Sequence, residues 1–218
     1  LKLLGSWVSP YTMRIHIAFR IKSVEYDYQE EDLSSKSQLL LNSNPVYGGK
    51  VPVLIHGDKT PIVESLIVLQ YIDEVWTHGP QILPSDPHRR ALARFWASYI
   101  DTKWFPATWE IIANGGENVE KQMREAREAM DFLENAFVEM SEGGKKKYFG
   151  GDDIGFLDIA VGSFIGWNNV ANGVPGVVMI GEEETPNLFR WSQRFTDHPA
   201  VKGLVPEADK LAQYAKKF

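Results

Sequence analysis

The stretch from Lys50 to Ser65, KVPVLIHGDKTPIVES, constrains this chain more than any other. Val51-Pro52-Val53-Leu54-Ile55 is short, apolar and rich in β-branched residues, the composition of a strand. Pro52 has no N–H to give a ladder, so it belongs at an edge, at the first strand position or in a tight cis turn. A cis turn leaves the amide and carbonyl of Val51 facing outward. His56-Gly57-Asp58-Lys59 reads as a turn and Thr60 to Val63 as a returning strand. Leu66, Leu69, Ile72 and Trp76 follow at helical spacing, with Ser65 as the predicted cap. A capped helix N-terminus offers N–H groups to an anion, and Glu64 beside it offers a carboxylate to a cation, a pair that suits an α-amino acid headgroup. The outward backbone of Val51 can pair with a peptide in β fashion, and Lys50 can meet a second carboxylate. A small peptide with an amino-acid end and a carboxylate end fits these groups. An ordinary strand-turn-strand-helix with one cap and no ligand fits them too.

From the start of the chain, Lys2 to Val8 reads as a strand leading into Ser9-Pro10, where serine caps a helix and proline takes its first position. Met13, Ile17, Ala18 and Ile21 continue that helix. Val24 to Tyr28 alternates as a second strand, and a polar segment from Glu30 runs to Asn44-Pro45 with Leu39 to Leu41 as its apolar part. The order is strand, helix, strand, irregular helix, hairpin, helix: a small α/β unit over residues 1–77.

The glycine and prolines of His78 to Ser85 interrupt regular structure and predict a linker. Asp86-Pro87 restarts a helix, whose apolar positions Leu92, Phe95, Trp96, Tyr99 and Ile100 run on until Pro106, a residue that should kink or break it. Phe105, Trp109 and Ile112 form one stripe if the helix continues, and core packing is the default reading of such a stripe. Val119, Met123, Ala126, Met130, Leu133, Phe137 and Met140 predict a long bundle helix. Gly155 sits at a cap position with Asp158 three residues on, so Asp158 can reach back to the cap amide while Ile154 staples onto Ile159. Further helices are expected near Ala160 to Val170, Leu188 to Phe195 and Ala208 to Phe218, with Gly173 to Glu184 as a loop.

The chain has no cysteine, which excludes disulfides and every cysteine-based mechanism. Net charge is -6 and neither half is basic, so no nucleic-acid partner is expected. No run of some 18 apolar residues is present, and the start of the sequence, which lacks a methionine, shows no signal-peptide pattern. No membrane association and a reducing, cytoplasmic setting are the expectation. The five histidines show no paired metal spacing, so no metal is expected.

Trp7-x-Ser9-Pro10-Tyr11-x-x-Arg14, Glu30-Glu31-Asp32-Leu33, Lys36-Ser37, Asn44-Pro45-Val46, Lys50 to Leu54 and Glu64-Ser65 occur here in one order and spacing, and together they resemble the plant tau-class glutathione transferases. One departure is visible. Where that family commonly has histidine and two lysines after Asn-Pro-Val, this chain has Tyr47-Gly48-Gly49-Lys50, one residue longer and with a single lysine.

The resemblance implies a thioredoxin-like α/β domain at 1–77, a linker at 78–85 and an all-α bundle at 86–218, with substrate in a cleft between the domains. It implies transfer of glutathione, a co-substrate and not a resident cofactor, to hydrophobic electrophiles by a homodimer. Peroxidase activity on organic hydroperoxides is the nearest variant, and a non-catalytic carrier of glutathione and apolar ligands is the alternative. By analogy Ser9 donates to the sulfur, Glu64 and Ser65 hold the γ-glutamyl headgroup, Val51 pairs with the cysteinyl unit, and Lys36 and Lys50 face the glycine carboxylate. Tyr11, Phe105, Trp109, Ile112, Tyr214 and Phe218 would line the acceptor site. Taken alone, Ser9-Pro10 reads as a plain helix cap, and it is the neighbouring motifs that favour the sulfur-donating role; Arg14 either adds positive charge near the sulfur or braces loops from inside.

Overall fold

The computed structural model describes residues 1–217; Phe218 lies outside the described residues. The chain divides into two compact units, Leu1–Ile82 and the remainder from Leu83 onward.

In the first unit the order is β1 (Lys2–Gly5), α1 (Pro10–Lys22), β2 (Asp27–Glu30), α2 (Gln38–Ser43), β3 (Val53–Ile55), β4 (Ile62–Val63) and α3 (Ser65–Val75). The strands lie in the order β2-β1-β3-β4, with β2 parallel to β1 and the other two pairings antiparallel. This is the thioredoxin-like arrangement expected from the sequence. Leu3 and Leu4 of β1, Ile15, Ile17 and Phe19 of α1, Val53 and Leu54 of β3, and Val68, Leu69 and Ile72 of α3 are buried. Each such side chain contributes about 1.5–3 kcal/mol on leaving water.

The first strand stops at Gly5 and does not run on to Val8 as expected. The chain there presses against α1: a Cβ on Gly5 would lie 2.3 Å from Thr12 Cγ2. The backbone therefore leaves the sheet and turns. At the far end of α1, the buried Lys22 ammonium pairs with Asp73 of α3 at 2.7 Å, and the same carboxylate accepts from Ile82 N at 2.9 Å. Removing one partner of such a buried pair costs about 3–5 kcal/mol, because the other is left charged in an apolar interior.

The second unit contains α4 (Pro87–Tyr99), a π-turn (Ile100–Trp104), α5 (Phe105–Ala113), α6 (Glu120–Met140), α7 (Phe156–Gly162), α8 (Ile165–Asn172), α9 (Pro186–Asp197) and α10 (Ala208–Ala215). Asp86 caps α4 by accepting from Arg89 N at 2.8 Å. Pro106 neither breaks nor ends the helical path. It has no N–H for the carbonyl one turn back, and the chain absorbs the mismatch just before it by widening to π geometry, with Phe105 N donating to Ile100 O. The single helix expected over Ala160 to Val170 is two helices, broken at Ser163-Phe164. Phe164 turns inward there and meets the rings of Trp104 and Phe105 at 5.7 and 4.5 Å between centroids.

Asp158 does cap α7 as its spacing predicts. One oxygen accepts from Gly155 N at 3.0 Å and Gly150 N at 2.8 Å, the other from Phe149 N at 2.9 Å and Trp191 Nε1 at 2.7 Å. Complete burial raises its pKa to about 6, against the pull of the four donors. It is a structural tie between α7, α9 and the Tyr148–Gly151 turn.

Candidate functional site

The first unit places the N-termini of α1 and α3 side by side. Ser9 is the cap of α1: its Oγ accepts from Thr12 N at 3.2 Å and Pro10 follows at the first helical position. Because that oxygen is used as an acceptor, the hydroxyl proton is free to be given to a second group. The positive end of the helix lies under it. Tyr11, half-buried, follows Pro10, and the Arg14 guanidinium stands over its ring at 5.1 Å from the centroid. Arg14 is itself wholly buried and donates to Ser65 Oγ at 3.0 Å.

That bond corrects the expected role of Ser65. It is the first residue of α3, not the cap, and its hydroxyl accepts from Arg14. The cap position belongs to Glu64, whose carbonyl accepts from Ile67 N and Val68 N at 2.9 Å and whose side chain makes no capping bond. Glu64 lies at φ 67° and ψ 108°, a conformation that costs a non-glycine residue about 1–3 kcal/mol. The exposed carboxylate is thus held at the mouth of a helix N-terminus, one residue from the buried Ser65 hydroxyl.

Of the two lysines, Lys36 lies between β2 and α2, just ahead of the α2 cap Ser37, and Lys50 lies on the loop between α2 and β3. Lys36 donates to Gly48 O at 2.8 Å, and the exposed Lys50 ammonium stands 6.0 Å from the Tyr47 ring centroid. Gly48 and Gly49 both have positive φ, which makes the longer loop possible. Val51, half-buried, follows, and its bond to Pro52 is cis. Asn44, expected only as the end of a polar segment and part of the Asn44-Pro45-Val46 motif, is the tie of this loop: its side chain donates to Lys50 O at 2.9 Å and accepts from Tyr47 N at 3.3 Å, while its carbonyl accepts from Gly49 N. The available signal was the Asn-Pro pair, since a short amide side chain readily folds onto backbone two or three residues on.

A second residue missed is Glu30. One of its oxygens accepts from Ser6 Oγ and from Trp7 N, both at 3.0 Å, and the other from the Tyr28 hydroxyl. Burial and the carboxylate beside it raise the Tyr28 pKa, so the phenol stays a donor. Only the parallel register of β1 and β2, which sets Glu30 opposite Gly5, brings these groups together.

In the second unit Phe105, Trp109 and Ile112 share one face and all three are half-buried; Trp104, Ala107, Thr108 and Ile111 on one side of that stripe are buried, and Pro106 and Glu110 on the other are exposed. The rings of Phe105 and Trp109 are 6.4 Å apart, and Trp109 meets Trp167 edge-on at 5.1 Å. Tyr214 is on α10, with Lys217 Nζ 6.0 Å from its ring centroid. The remaining residue of the predicted set, Phe218, lies outside the described residues. Among the described residues no group of histidine, aspartate and glutamate side chains is placed to hold a metal ion, and no helix is long and apolar enough to cross a membrane.

Residues 1–74 match the family model described as glutathione S-transferase, N-terminal domain, and residues 95–199 the model for glutathione S-transferase, C-terminal domain. Glutathione S-transferase U17 of Arabidopsis thaliana is 48% identical over 219 aligned residues, which span 100% of this chain and 95% of that protein. A probable glutathione S-transferase of Oryza sativa is 45% identical, with 98% and 92% covered. Among solved structures, the tau class enzyme of mango, Mangifera indica, superposes with a TM-score of 0.92 at 51% identity, covering 99% of this chain and 97% of that one. A rice glutathione S-transferase solved in complex with glutathione gives 0.87 at 35% identity, covering 98% and 93%.

Proposed function

The chain belongs to the glutathione S-transferase family, tau class, and from that premise we propose that it conjugates glutathione to hydrophobic electrophiles, with Ser9 as the residue that stabilises the thiolate. The supporting observation is the state of Ser9: a capping hydroxyl whose lone pair is occupied by Thr12 N and whose proton is left for a sulfur at the positive end of α1. Thiolate, not thiol, is the nucleophile, and each hundredfold gain in its population corresponds to about 2.7 kcal/mol of preferential binding. The thiol proton passes to solvent, the sulfur lone pair forms the bond to the electrophilic carbon, and the leaving group departs with its electron pair.

The remaining roles follow charge. Glu64 takes the α-ammonium group of the γ-glutamyl unit. The Ser65 amide, with its hydroxyl turned by Arg14, takes the α-carboxylate. Val51 pairs its backbone with the cysteinyl unit, and Lys36 and Lys50 serve the glycine carboxylate. On this assignment residues 1–77 form the glutathione-binding domain and 86–218 the domain that supplies Phe105, Trp109, Ile112 and Tyr214 to the acceptor, with Tyr11 added from α1. The working form is a homodimer in the cytoplasm.

The test is Ser9→Ala, assayed with glutathione and a panel of electrophiles and hydroperoxides. Turnover should fall far more than glutathione affinity, and the pKa of the bound thiol should rise. Unchanged conjugation rates would retire the role of Ser9 and favour a carrier that binds the same ligands without reaction.

A further inference from the structure

We infer that Glu30 is a positioning residue for conjugation: its carboxylate fixes the turn on which Ser9 stands. The inference rests on the role proposed above for Ser9. The turn from Ser6 to Val8 belongs neither to β1 nor to α1, so nothing in regular structure sets its path. It is clamped instead from two sides. From β2, Glu30 accepts the Ser6 hydroxyl and the Trp7 amide on one oxygen. From α1, the Thr12 hydroxyl accepts the Ser6 amide at 3.3 Å. Ser9 then hangs on the clamped residues, its N–H donating to Ser6 O at 3.0 Å and its Oγ accepting from Thr12 N.

The chemistry of the clamp explains why a carboxylate stands there. Ser6 and Trp7 present two donors in nearly one direction, and one carboxylate oxygen can accept both, with each charge-assisted bond stronger than a neutral one. The second oxygen is steadied by the Tyr28 phenol. The negative charge is thereby shared among three donors. Glu30 lies on the exposed side of the edge strand β2, so its truncation removes no core packing. A hydroxyl that must meet a developing thiolate has to be held to about 0.5 Å, and the clamp is what this chain provides for that.

The experiment uses the full chain with glutathione and an activated chloronitrobenzene. It compares kcat, KM for glutathione and the thiol pKa from the pH profile of kcat/KM in Glu30→Ala, Glu30→Gln, Ser9→Ala and Glu30→Ala combined with Ser9→Ala. Glu30→Ala should lower kcat about tenfold and raise the thiol pKa, with KM moved by less than about twofold. Glu30→Gln, which keeps an oxygen toward Ser6 and Trp7, should recover most of the rate. With Ser9 already replaced, Glu30→Ala should cost nothing further, since the two act through one hydroxyl. If Glu30→Ala does not fold, Ser6→Ala removes the same bond from its other end and carries the comparison. An equal loss in both backgrounds, or an unchanged thiol pKa, would overturn the positioning role while leaving Ser9 in place. No effect of Ser9→Ala alone would remove the premise, and the inference with it.

Discussion

Arg14 donates to the Ser65 hydroxyl at 3.0 Å, joining residues 51 positions apart in sequence and locking the N-terminus of α3 against the first turns of α1. Two helix N-termini are electropositive and repel when brought together. A buried guanidinium between them adds to that field, and the sum favours an anion bound at the same place. On the assignment proposed above, glutathione would bring two anions of the right kind, a thiolate for α1 and a carboxylate for α3. Ser65 is the first residue of α3 because the helix opens on the Glu64 carbonyl, and its hydroxyl serves Arg14 instead of a cap.

Glu64→Ala and Lys50→Ala should both weaken glutathione binding, each removing one partner of a charged ligand group, an interaction worth about 1.5–3 kcal/mol. Glu64 should cost more, because its backbone and the helix end fix where the carboxylate stands, whereas Lys50 is exposed on a loop held by Asn44. Titration calorimetry measures both. No loss of affinity in Lys50→Ala would mean that the added glycine carries this lysine away from the glycine carboxylate.

Three helix openings, one of them carrying Ser9 of the candidate site, were readable in the sequence because they rest on local rules. The Ser9-Pro10 opening, the Asp86-Pro87 opening and the Gly155 to Asp158 box depend on residues within one turn of each other, and the structure has all three. What the sequence did not reveal depends on partners far along the chain. The Ser65 hydroxyl is taken by Arg14 while the helix opens at Glu64, α7 ends where Phe164 packs on Trp104 and Phe105, and Glu30 acquires its partners only through the β1–β2 register. Pro106 does interrupt the regular α-helix, as its lack of an N–H requires, but through a π-turn and not a stop. A proline forbids one hydrogen bond, but a helix can lose that bond by widening as well as by stopping.

His16 gives the fold a dependence on pH. Burial, with the Arg20 charge adding to it, lowers its pKa to about 4, while Glu30 pulls weakly the other way. Its ring bonds to the Tyr26 hydroxyl and meets the Tyr28 ring edge-on at 4.7 Å. In the unfolded chain the imidazole takes a proton near its ordinary value of about 6.5, so between there and about 4 the unfolded state binds more protons and stability falls as pH falls. From pH 7 to pH 5 the loss at this group is about 2 kcal/mol. Urea unfolding of the chain and of His16→Gln at both pH values measures it: the variant should lose less on acidification, and an equal loss would place the dependence elsewhere.

The proposed homodimer has surface to account for. Ile67 on α3 is 55% exposed, and on the second unit Phe95 of α4 is 56% and Phe132 of α6 48% exposed, with Phe95 joined to Trp96 and Phe132 to Tyr99 by ring contacts. A run of aromatic rings facing water is costly unless another surface covers it. Light scattering should give roughly 49 kDa at micromolar concentration, twice the 24.7 kDa of one chain, and Phe95→Glu should shift the particle toward the smaller mass. A single-chain mass for the unaltered protein would refute the dimer.

The last expectation concerns how the acceptor is chosen. Phe105, Trp109 and Ile112 keep one face because the π-turn lets the helix continue through Pro106, and they are half-buried between the closed face of Ala107, Thr108 and Ile111 and the exposed Pro106 and Glu110. That asymmetry sets them apart from core, although Trp109 also braces Trp167. A wall of this kind carries no charge, so it selects by apolar area and stacking, with affinity rising at roughly 25 cal/mol per Å² buried as aromatic rings are added. On the proposed assignment, in which the indole meets the acceptor and not glutathione, Trp109→Ala should therefore raise the KM for a bulky aromatic electrophile several-fold and leave that for glutathione nearly unchanged. The indole's contact with Trp167 means some stability is lost as well, about 1–2 kcal/mol for a half-buried aromatic pair. A loss of several kcal/mol with no change in acceptor preference would return Trp109 to the core and move the acceptor site elsewhere.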